Sequence, residues 1–251
     1  MKPSPLFRLA PLAAAVVLAA PLSAHAALSA YSQNFEGLSG GAALSGDGWK
    51  IFGNVFNPNG SYVGGYGVYD APNGGAGFSA VASGQGGPAQ GAQQLVVYSD
   101  YNNPSQPTKW VEALVFQERT IGAGDLGQWV FSFDAKKGDL KPNSSAYAFI
   151  KTLNPAAGYA TTNFVQVEMT SIAGDWMRYS LSLAVDSSLS GQLLQFGYAA
   201  KATNYTASGT FYDNVSFATA PVPEPSTYAL MFAGLGLVGV VAQRRAAAGR
   251  A

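Results

Sequence analysis

The sequence QWVFSFDAK, residues 128–136, alternates apolar and polar side chains with the period of a β-strand. Its two faces differ in character, with Trp129, Phe131, Phe133 and Ala135 on one and Ser132, Asp134 and Lys136 on the other. A strand of this kind has one face against a core and one toward solvent. We therefore expect Trp129 to be a core residue rather than a ligand contact.

Similar short stretches recur through the chain, separated by Gly-Asp, Asn-Pro, Lys-Pro-Asn and Ser-Gly turn signals. No stretch between the terminal segments has a convincing helical period. The pattern predicts an all-β fold, a two-sheet antiparallel β-sandwich. The further predicted strands are Ser32–Glu36, Trp49–Val55, Gln94–Tyr98, Val111–Ile121, Tyr147–Leu153, Phe164–Met169, Met177–Leu183, Leu193–Ala200 and Thr210–Phe217.

The segment Gly60–Gln93 interrupts this rhythm, because 11 of its residues are glycine. It is too rich in glycine to predict regular strands, and long for a structureless loop. We expect an insertion that is either a surface excursion or a cover over one end of the sandwich.

The N-terminus has the order of a secretory signal peptide. Lys2 and Arg8 give a positive start, Leu9–Leu22 an apolar core, and Ala24-His25-Ala26 a small-x-small cleavage site. Residues 1–26 are thus predicted to be removed, which leaves a body of residues 27–220 that folds outside the cytoplasm.

The C-terminal segment, residues 221–251, has three successive parts. Pro223, Glu224 and Pro225 disfavour a helix or a central strand. An uncharged stretch, 228–242, is shorter than the roughly 20 residues that span a bilayer comfortably. Arg244 and Arg245 then end it, as expected for a cytoplasmic flank.

This order of motif, apolar helix and arginine cluster resembles the PEP-CTERM sorting signal of Gram-negative bacteria. The resemblance implies recognition by an exosortase-type membrane protease, a transient inner-membrane stage with a cytoplasmic C-terminus, and final delivery to the cell surface. An ordinary C-terminal anchor is the alternative.

Composition excludes several functions. The chain has no cysteine, and its single histidine, His25, lies in the predicted signal peptide. The body therefore lacks disulfides, Ser-His-Asp and Cys-His catalysis, and zinc, haem or iron–sulfur sites of the usual kinds. Five of the 14 basic residues and one of the 14 acidic residues lie in the terminal segments, so the body carries 9 against 13. A net charge near −4 without a basic stripe argues against nucleic-acid binding.

The order of strands and turns resembles a jelly-roll carbohydrate-binding module of the galactose-binding-like type. The resemblance depends on the QWVFSFDAK strand and on four further features: Asn34-Phe35-Glu36, Gly48-Trp49, Gly174-Asp175-Trp176 and the closing stretch Tyr212–Phe217. It implies a jelly-roll topology and sugar binding without catalysis.

The same resemblance implies a structural calcium ion shared by Glu36 and Asp213. Calcium takes six to eight oxygen ligands, so backbone carbonyls of a neighbouring loop would have to complete the set. The alternative is that both carboxylates are solvated or form turn hydrogen bonds.

Candidate sugar contacts are aromatic side chains outside the alternating core pattern, since aromatic rings stack on the C–H faces of sugars. Trp110 stands at a predicted loop-to-strand boundary, and Tyr62, Tyr66 and Tyr69 lie in the glycine-rich segment. We expect the interaction surface on that segment and the neighbouring Trp110.

These observations predict a surface-delivered, non-catalytic protein that binds extracellular polysaccharide or matrix. A purely structural biofilm or surface protein is one alternative. A weak glycoside hydrolase using Glu112, Glu118 or Glu168 is another, although their alternation favours a polar outer face.

Overall fold

The computed structural model describes residues 28–38, 43–70, 79–99, 108–203, 208–220, 231–233 and 235, with the backbone alone at 43, 66–70 and 203. It has twelve strands in this part of the chain, one helical turn α1 (Ala43–Gly46), two 3₁₀ turns, Pro155–Ala157 and Ser187–Leu189, and helical residues at 231–233 and 235. The strands are β1 Tyr31–Gln33, β2 Lys50–Phe56, β3 Tyr62–Asp70, β4 Ser79–Ser83, β5 Gln93–Ser99, β6 Trp110–Thr120, β7 Gly127–Leu140, β8 Ser145–Asn154, β9 Ala160–Glu168, β10 Met177–Val185, β11 Leu193–Thr203 and β12 Ser208–Thr219.

The strands form two six-stranded antiparallel sheets. Sheet 1 has the order β10-β7-β12-β5-β4, and β1 pairs with the C-terminal part of β12 beyond β5. Sheet 2 has the order β3-β2-β6-β11-β8-β9. The predicted two-sheet antiparallel β-sandwich is confirmed.

The last eight strands have the topology of a jelly roll. β8 pairs with β9, β7 with β10, β6 with β11, and β5 with β12. The pairs are nested like the two arms of one long hairpin that has been rolled up, with successive arms placed alternately in the two sheets. This topology follows from the strand pairing itself.

The core lies between the sheets and is largely aromatic. Phe196 of sheet 2 stacks on Phe217 of sheet 1 at 4.2 Å between ring centroids. Trp129 stacks on the same Phe217 at 5.0 Å and is buried, as its place in the alternating strand predicts. Tyr198 contacts Phe131 and Phe133 across the same interface. The alternation in QWVFSFDAK thus turns one face of β7 into this core.

All ten predicted strands have counterparts, but the expectation for Gly60–Gln93 is wrong. This segment contributes β3 at the edge of sheet 2 and β4 at the edge of sheet 1. Glycine is needed in β3 because a Cβ at Gly65 would lie 2.9 Å from the Gly53 carbonyl oxygen and from the Phe52 ring. An edge strand that packs this closely loses the alternating side chains that mark a strand in sequence.

The first strand is shorter than predicted, ending at Gln33 rather than Glu36. Phe35 is fully buried with a φ of 60°, which breaks the extended conformation. The side chains of Gln33 and Asn34 accept hydrogen bonds from the N–H groups of Phe35 and Glu36. The resulting turn directs Glu36 toward the start of β5.

Candidate functional site

The outer face of sheet 2 carries a second apolar cluster, separate from the core. Its buried members come from β6, β8 and β11, and Phe52 of β2 packs against them: Leu114, Phe116, Tyr147, Phe149 and Ala199. These positions alternate along their strands with residues that face the core, such as Val115 and Tyr198. Sheet 2 therefore has an apolar cluster on its outer face as well as the core on its inner face, which a sandwich core alone does not require.

Trp110 lies at one end of this outer face, on an aromatic base. It is the cross-strand partner of Phe56, and the two rings stack with centroids 4.4 Å apart at 16°. Tyr62 contacts Phe56 edge-on, with the ring centroids 5.7 Å apart, and Tyr62 is 59% exposed. We call Tyr62, Phe56 and Trp110 the aromatic platform. The structure thus brings together two of the four predicted sugar contacts.

Tyr66 and Tyr69, the other two, are in β3 rather than in a loop. They pair with Gly53 and Ile51 of β2. Their side chains lie outside the described part of the structure, so their contribution to a site stays a prediction.

The remaining tryptophans have other positions. Trp49 is fully buried in the core, like Trp129. Trp176 is half-buried, and its indole N–H donates to the Gln85 carbonyl beside sheet 1. Trp110 is therefore the one tryptophan on the outer face of sheet 2.

Lys201 covers Trp110. Its Nζ lies 5.0 Å from the centroid of the Trp110 ring and 5.7 Å from that of Tyr147, both within cation–π range. The same Nζ is 3.4 Å from an oxygen of Glu112. Lys201 was not predicted as a site residue, because its neighbours in space are distant in the sequence.

Glu112 stabilises this arrangement through its contacts with three neighbouring side chains, Lys201, Tyr147 and Asn54. Its carboxylate is only 7% exposed and accepts hydrogen bonds from Tyr147 Oη at 2.6 Å and from Asn54 Nδ2 at 2.8 Å. Burial, and then the charge of Glu112, raise the pKa of Tyr147 well above its usual range, so the phenol remains a donor. Glu112 is thus a satisfied structural anion.

A cavity of about 410 Å³ opens beside Trp110. One side is aromatic and the others carry amide, hydroxyl and ammonium groups, the mixture that small polar ligands require. Its lining comprises Pro58, Thr108, Trp110, Asn143, Ser145, Lys201 and Ala202.

The geometry argues against a hydrolytic acid pair at Glu112 and Glu118. They are six positions apart along β6, which corresponds to about 20 Å in a strand. Glycosidases need their two carboxyl groups about 5–9.5 Å apart. Glu118 is also engaged, since it accepts from Gln195 Nε2 at 2.6 Å and lies 3.4 Å from Lys50 Nζ.

Glu36, the first predicted calcium ligand, joins β1 to β5. Its Oε1 accepts from the backbone N–H groups of Ala92 at 2.8 Å and Gln93 at 2.7 Å. Its backbone carbonyl accepts from the Gln93 side chain at 3.0 Å. These contacts explain the position of Glu36 without a metal, and of its carboxylate they use Oε1 alone among the described residues.

Asp213, the second predicted ligand, has an unpaired buried oxygen. The side chain is fully buried, and Oδ1 accepts from the N–H of Asn214 at 2.6 Å. Oδ2 has no hydrogen-bond partner in the described part of the chain. The Gln94 amide beside it donates instead to the carbonyls of Gln90 and Gly91.

Burial raises the pKa of Asp213 to about 7, and the charges of Asp134 and Glu36 add to this. The carboxyl of Asp134 differs. Burial would raise its pKa too, but hydrogen bonds from Asn214, Gln90 and Arg178 outweigh burial and hold it below its usual value. The polar contacts of Asp213 with Asn214 and Gln94 lower its pKa as well, but they do not outweigh burial.

The oxygen atoms around Asp213 are the kind of ligand that a hard cation prefers. Glu36 is close enough to Asp213 to act on its pKa, and carbonyls of Gln90 and Gly91 lie beside them. Within the described residues, no group of three or more Asp, Glu, His or Cys side chains is placed to hold a metal. A cation here would therefore depend on two carboxylates and on backbone oxygens.

Comparison with family models identifies the C-terminal segment. A model described as the PEP-CTERM protein-sorting motif matches residues 221–245. The chain carries a PEP-CTERM sorting signal. The match includes Pro223, Glu224, Pro225, Arg244 and Arg245, all outside the described part of the structure, and it confirms the sequence prediction.

PEP-CTERM signals mark exported proteins, so the body is an exported domain. Residues 231–233 and 235 are helical, within the predicted apolar helix 228–242. Met231, Phe232 and Leu235 are more than half exposed. Among the residues that the structure describes, no helix is long and apolar enough to cross a membrane.

Comparison with curated proteins finds no significant match. Comparison with solved structures finds β-sandwich carbohydrate-binding modules. One comes from work on the promiscuous specificity of carbohydrate-binding modules of the β-sandwich superfamily, with 14% identity, a TM-score of 0.46, and coverage of 74% of this chain and 60% of that one.

Two others are family 22 modules. The CBM22-1 xylan-binding domain of Paenibacillus barcinonensis Xyn10C has 12% identity and a TM-score of 0.40, over 76% of this chain and 95% of that one. The C-terminal family 22 carbohydrate-binding module of Clostridium thermocellum Xyn10B has 15% identity and a TM-score of 0.37, over 77% and 95%. Similarity this low assigns neither a ligand nor an activity.

Proposed function

We propose that the exported body binds an extracellular polysaccharide and has no catalytic activity. The observation that carries this proposal is the aromatic platform beside the 410 Å³ cavity. A solvated outer sheet face does not need a tryptophan stacked on a phenylalanine, with an exposed tyrosine beside them. Such a group has a use at a surface where sugar rings dock.

The platform supplies the apolar half of such a site. Phe56 covers one face of the Trp110 indole, which fixes its orientation and lowers the entropy lost on binding. A sugar would approach from the opposite face, on which Lys201 lies. The Lys201 side chain is 32% exposed and its contact with Glu112 is long, so it can move aside.

The cavity supplies the polar half. The side chains of Asn143, Ser145, Thr108 and Lys201 offer donors and acceptors around the platform. Sugar hydroxyls need such partners, because each polar group that binding removes from water must be hydrogen-bonded again.

The experiment is affinity electrophoresis of the exported protein in gels that contain the extracellular polysaccharide of the producing cells. Trp110→Ala should abolish the retardation, whereas Trp176→Ala, a half-buried tryptophan beside the other sheet, should keep it. Retardation that survives Trp110→Ala would contradict this site. No retardation of the unaltered protein in any glycan gel would favour a purely structural surface protein.

We further propose that an exosortase-type membrane protease processes the C-terminal signal at the inner membrane, after a signal peptidase has cut before Ala27. The body would then be released to the cell surface. The family match at 221–245 and the Ala24-His25-Ala26 site support this route.

A structural calcium ion held by Glu36 and Asp213 is part of the proposal. The unpaired Oδ2 of Asp213 supports it, because a buried carboxylate oxygen without a partner costs about 1–3 kcal/mol or more. A cation would relieve this cost and join the two ends of a body that lacks disulfides.

A further inference from the structure

The end of the sandwich that carries the aromatic platform also gathers cations. Lys201 lines the cavity beside Trp110, and Lys109 directly precedes Trp110 in the chain. Lys137 and Lys141 line an adjoining cavity of about 320 Å³. Three of the nine basic residues of the body thus line two neighbouring cavities and a fourth adjoins Trp110 in the chain, whereas the body as a whole has a net charge near −4.

The two cavities meet at Asn143, which lines both. This residue belongs to the turn between β7 and β8, where its φ is 70°. Ser144 fixes the turn, since its N–H and its hydroxyl both donate to the Lys141 carbonyl, at 3.1 and 2.7 Å. A ligand longer than one sugar would therefore pass over this hydrogen-bonded turn from the Trp110 cavity to the lysine-lined cavity.

In the part of the chain that the structure describes, few anions oppose these cations. Lys141 is 2.8 Å from Asp139, but both side chains are more than half exposed, so this pair is weak. Lys201 shares Glu112 with Tyr147 and Asn54. In the described part of the chain, Lys109 and Lys137 form no ion pair. No described carboxylate lines either cavity.

We propose that the two cavities bind a polysaccharide that carries carboxylate groups, such as a uronic-acid polymer. This inference rests on the proposed sugar binding and names its substrate class. One sugar stacks at Trp110 with its carboxylate on Lys201. The next crosses Asn143 and places its carboxylate near Lys137 and Lys141. Lysines that line both cavities of a negatively charged body steer such a polymer to this end.

Lys201 has a second role in this arrangement. It moves from the Glu112 carboxylate to the ligand carboxylate, so that its charge stays paired while the indole face is uncovered. A neutral sugar has no carboxylate that could take the place of Glu112. When such a sugar binds, Lys201 either stays over the indole or loses its charged partner. The exchange therefore favours acidic over neutral sugars.

The test uses the exported protein and the extracellular polysaccharide of its producing cells, either untreated or carboxyl-reduced, which converts each carboxylate to a neutral hydroxymethyl group. Affinity electrophoresis should show about fivefold tighter binding to the untreated polymer for each ion pair that is made. Raising NaCl from about 50 to 300 mM should weaken binding to the untreated polymer only.

Lys201→Met keeps the apolar stem on Trp110 and removes the charge, so binding to the untreated polymer should fall about fivefold. Lys141→Gln, at an exposed position, should lower affinity without destabilising the fold. The matched control is Lys136→Met, because Lys136 lies 5.5 Å from the rings of Trp176 and Phe211 beside the other sheet. This variant should bind like the unaltered protein.

Equal binding to both polymers, together with an unchanged Lys201→Met, would overturn the acidic-polymer proposal and leave polysaccharide binding intact. Loss of affinity in Lys136→Met equal to that in Lys201→Met would also overturn it, since only net charge would then matter. Absence of binding to either polymer would overturn the proposed function itself.

Discussion

Phe56 and Trp110 are direct cross-strand partners on β2 and β6, and their rings stack at 4.4 Å. Neither ring belongs to the core between the sheets. Stacked aromatic pairs are worth about 0.5–1.5 kcal/mol beyond burial, so the indole has a fixed orientation before any ligand arrives. An indole held in this way at the rim of a polar cavity is suited to sugar binding.

Phe56→Ala should weaken glycan binding about tenfold or more, because Trp110 loses its support and Tyr62 its neighbour. The unfolding free energy should fall by only about 1–2 kcal/mol, since Phe56 is half-buried. Affinity gels and urea unfolding separate the two effects. Phe164→Ala is the control, as Phe164 is exposed on the same sheet face and contacts Tyr147 and Phe149. Equal losses of binding in both variants would contradict a localised site.

The stability of the metal-free protein should fall as pH rises from about 4 to 7. The pKa of Asp213 is raised from 3.8 to about 7, so in this window the native state holds a proton that the unfolded state has released. The unfolding free energy then decreases with pH, by roughly 1.4 kcal/mol per pH unit at most. The lowered pKa of Asp134 acts at lower pH, where stability falls as the pH drops.

Chelator-treated protein in urea at several pH values provides the measurement. Asp213→Asn should remove the decline between pH 4 and 7, because the amide does not titrate. A decline of the same slope in Asp213→Asn would assign it to other groups.

Calcium should raise the thermal midpoint at pH 7.5 if Glu36 and Asp213 share an ion. The rise should be several degrees at millimolar calcium, because a ligand that binds only the native state stabilises it. Glu36→Gln keeps an oxygen that can accept from Ala92 and Gln93 but loses the charge, so it should show little rise. Asp213→Asn should also respond little. An unchanged midpoint in the unaltered protein would remove calcium from the account.

The exported protein should begin at Ala27 and lack residues 228–251. Intact-mass measurement of surface-extracted protein tests both ends at once. Replacing Pro223 and Glu224 should leave a longer form in the inner membrane, because the protease no longer recognises its motif. Recovery of the complete apolar tail at the surface would instead indicate a plain anchor.

Alternation along single strands was enough to predict the sandwich and the core position of Trp129. It failed for β3, where glycines at a close-packed edge carry no side-chain pattern. It failed for β4 because the five residues Ser79–Ser83 are Ser, Ala and Val in an order that does not alternate between polar and apolar. The predicted insertion is therefore structural, and deleting it would remove an edge strand from each sheet.

The candidate site was predictable only in part. Trp110 was recognisable from its place at the start of a strand, but its partner Phe56 and its cover Lys201 are distant in sequence. Pairing of β2, β6 and β11 in register brings them together. Register depends on the whole sheet, so sequence patterns in single segments do not specify it.

The central claim is that sugar binds at Trp110, and the indole N–H signals of the four tryptophans test it most directly. The exported protein is labelled with ¹⁵N-tryptophan and titrated with fragments of the producing cells' polysaccharide. Only the Trp110 signal should shift, since Trp49 and Trp129 are buried in the core and Trp176 lies beside the other sheet. A shift of Trp176 with an unmoved Trp110, or no shift at saturating glycan, would contradict the account.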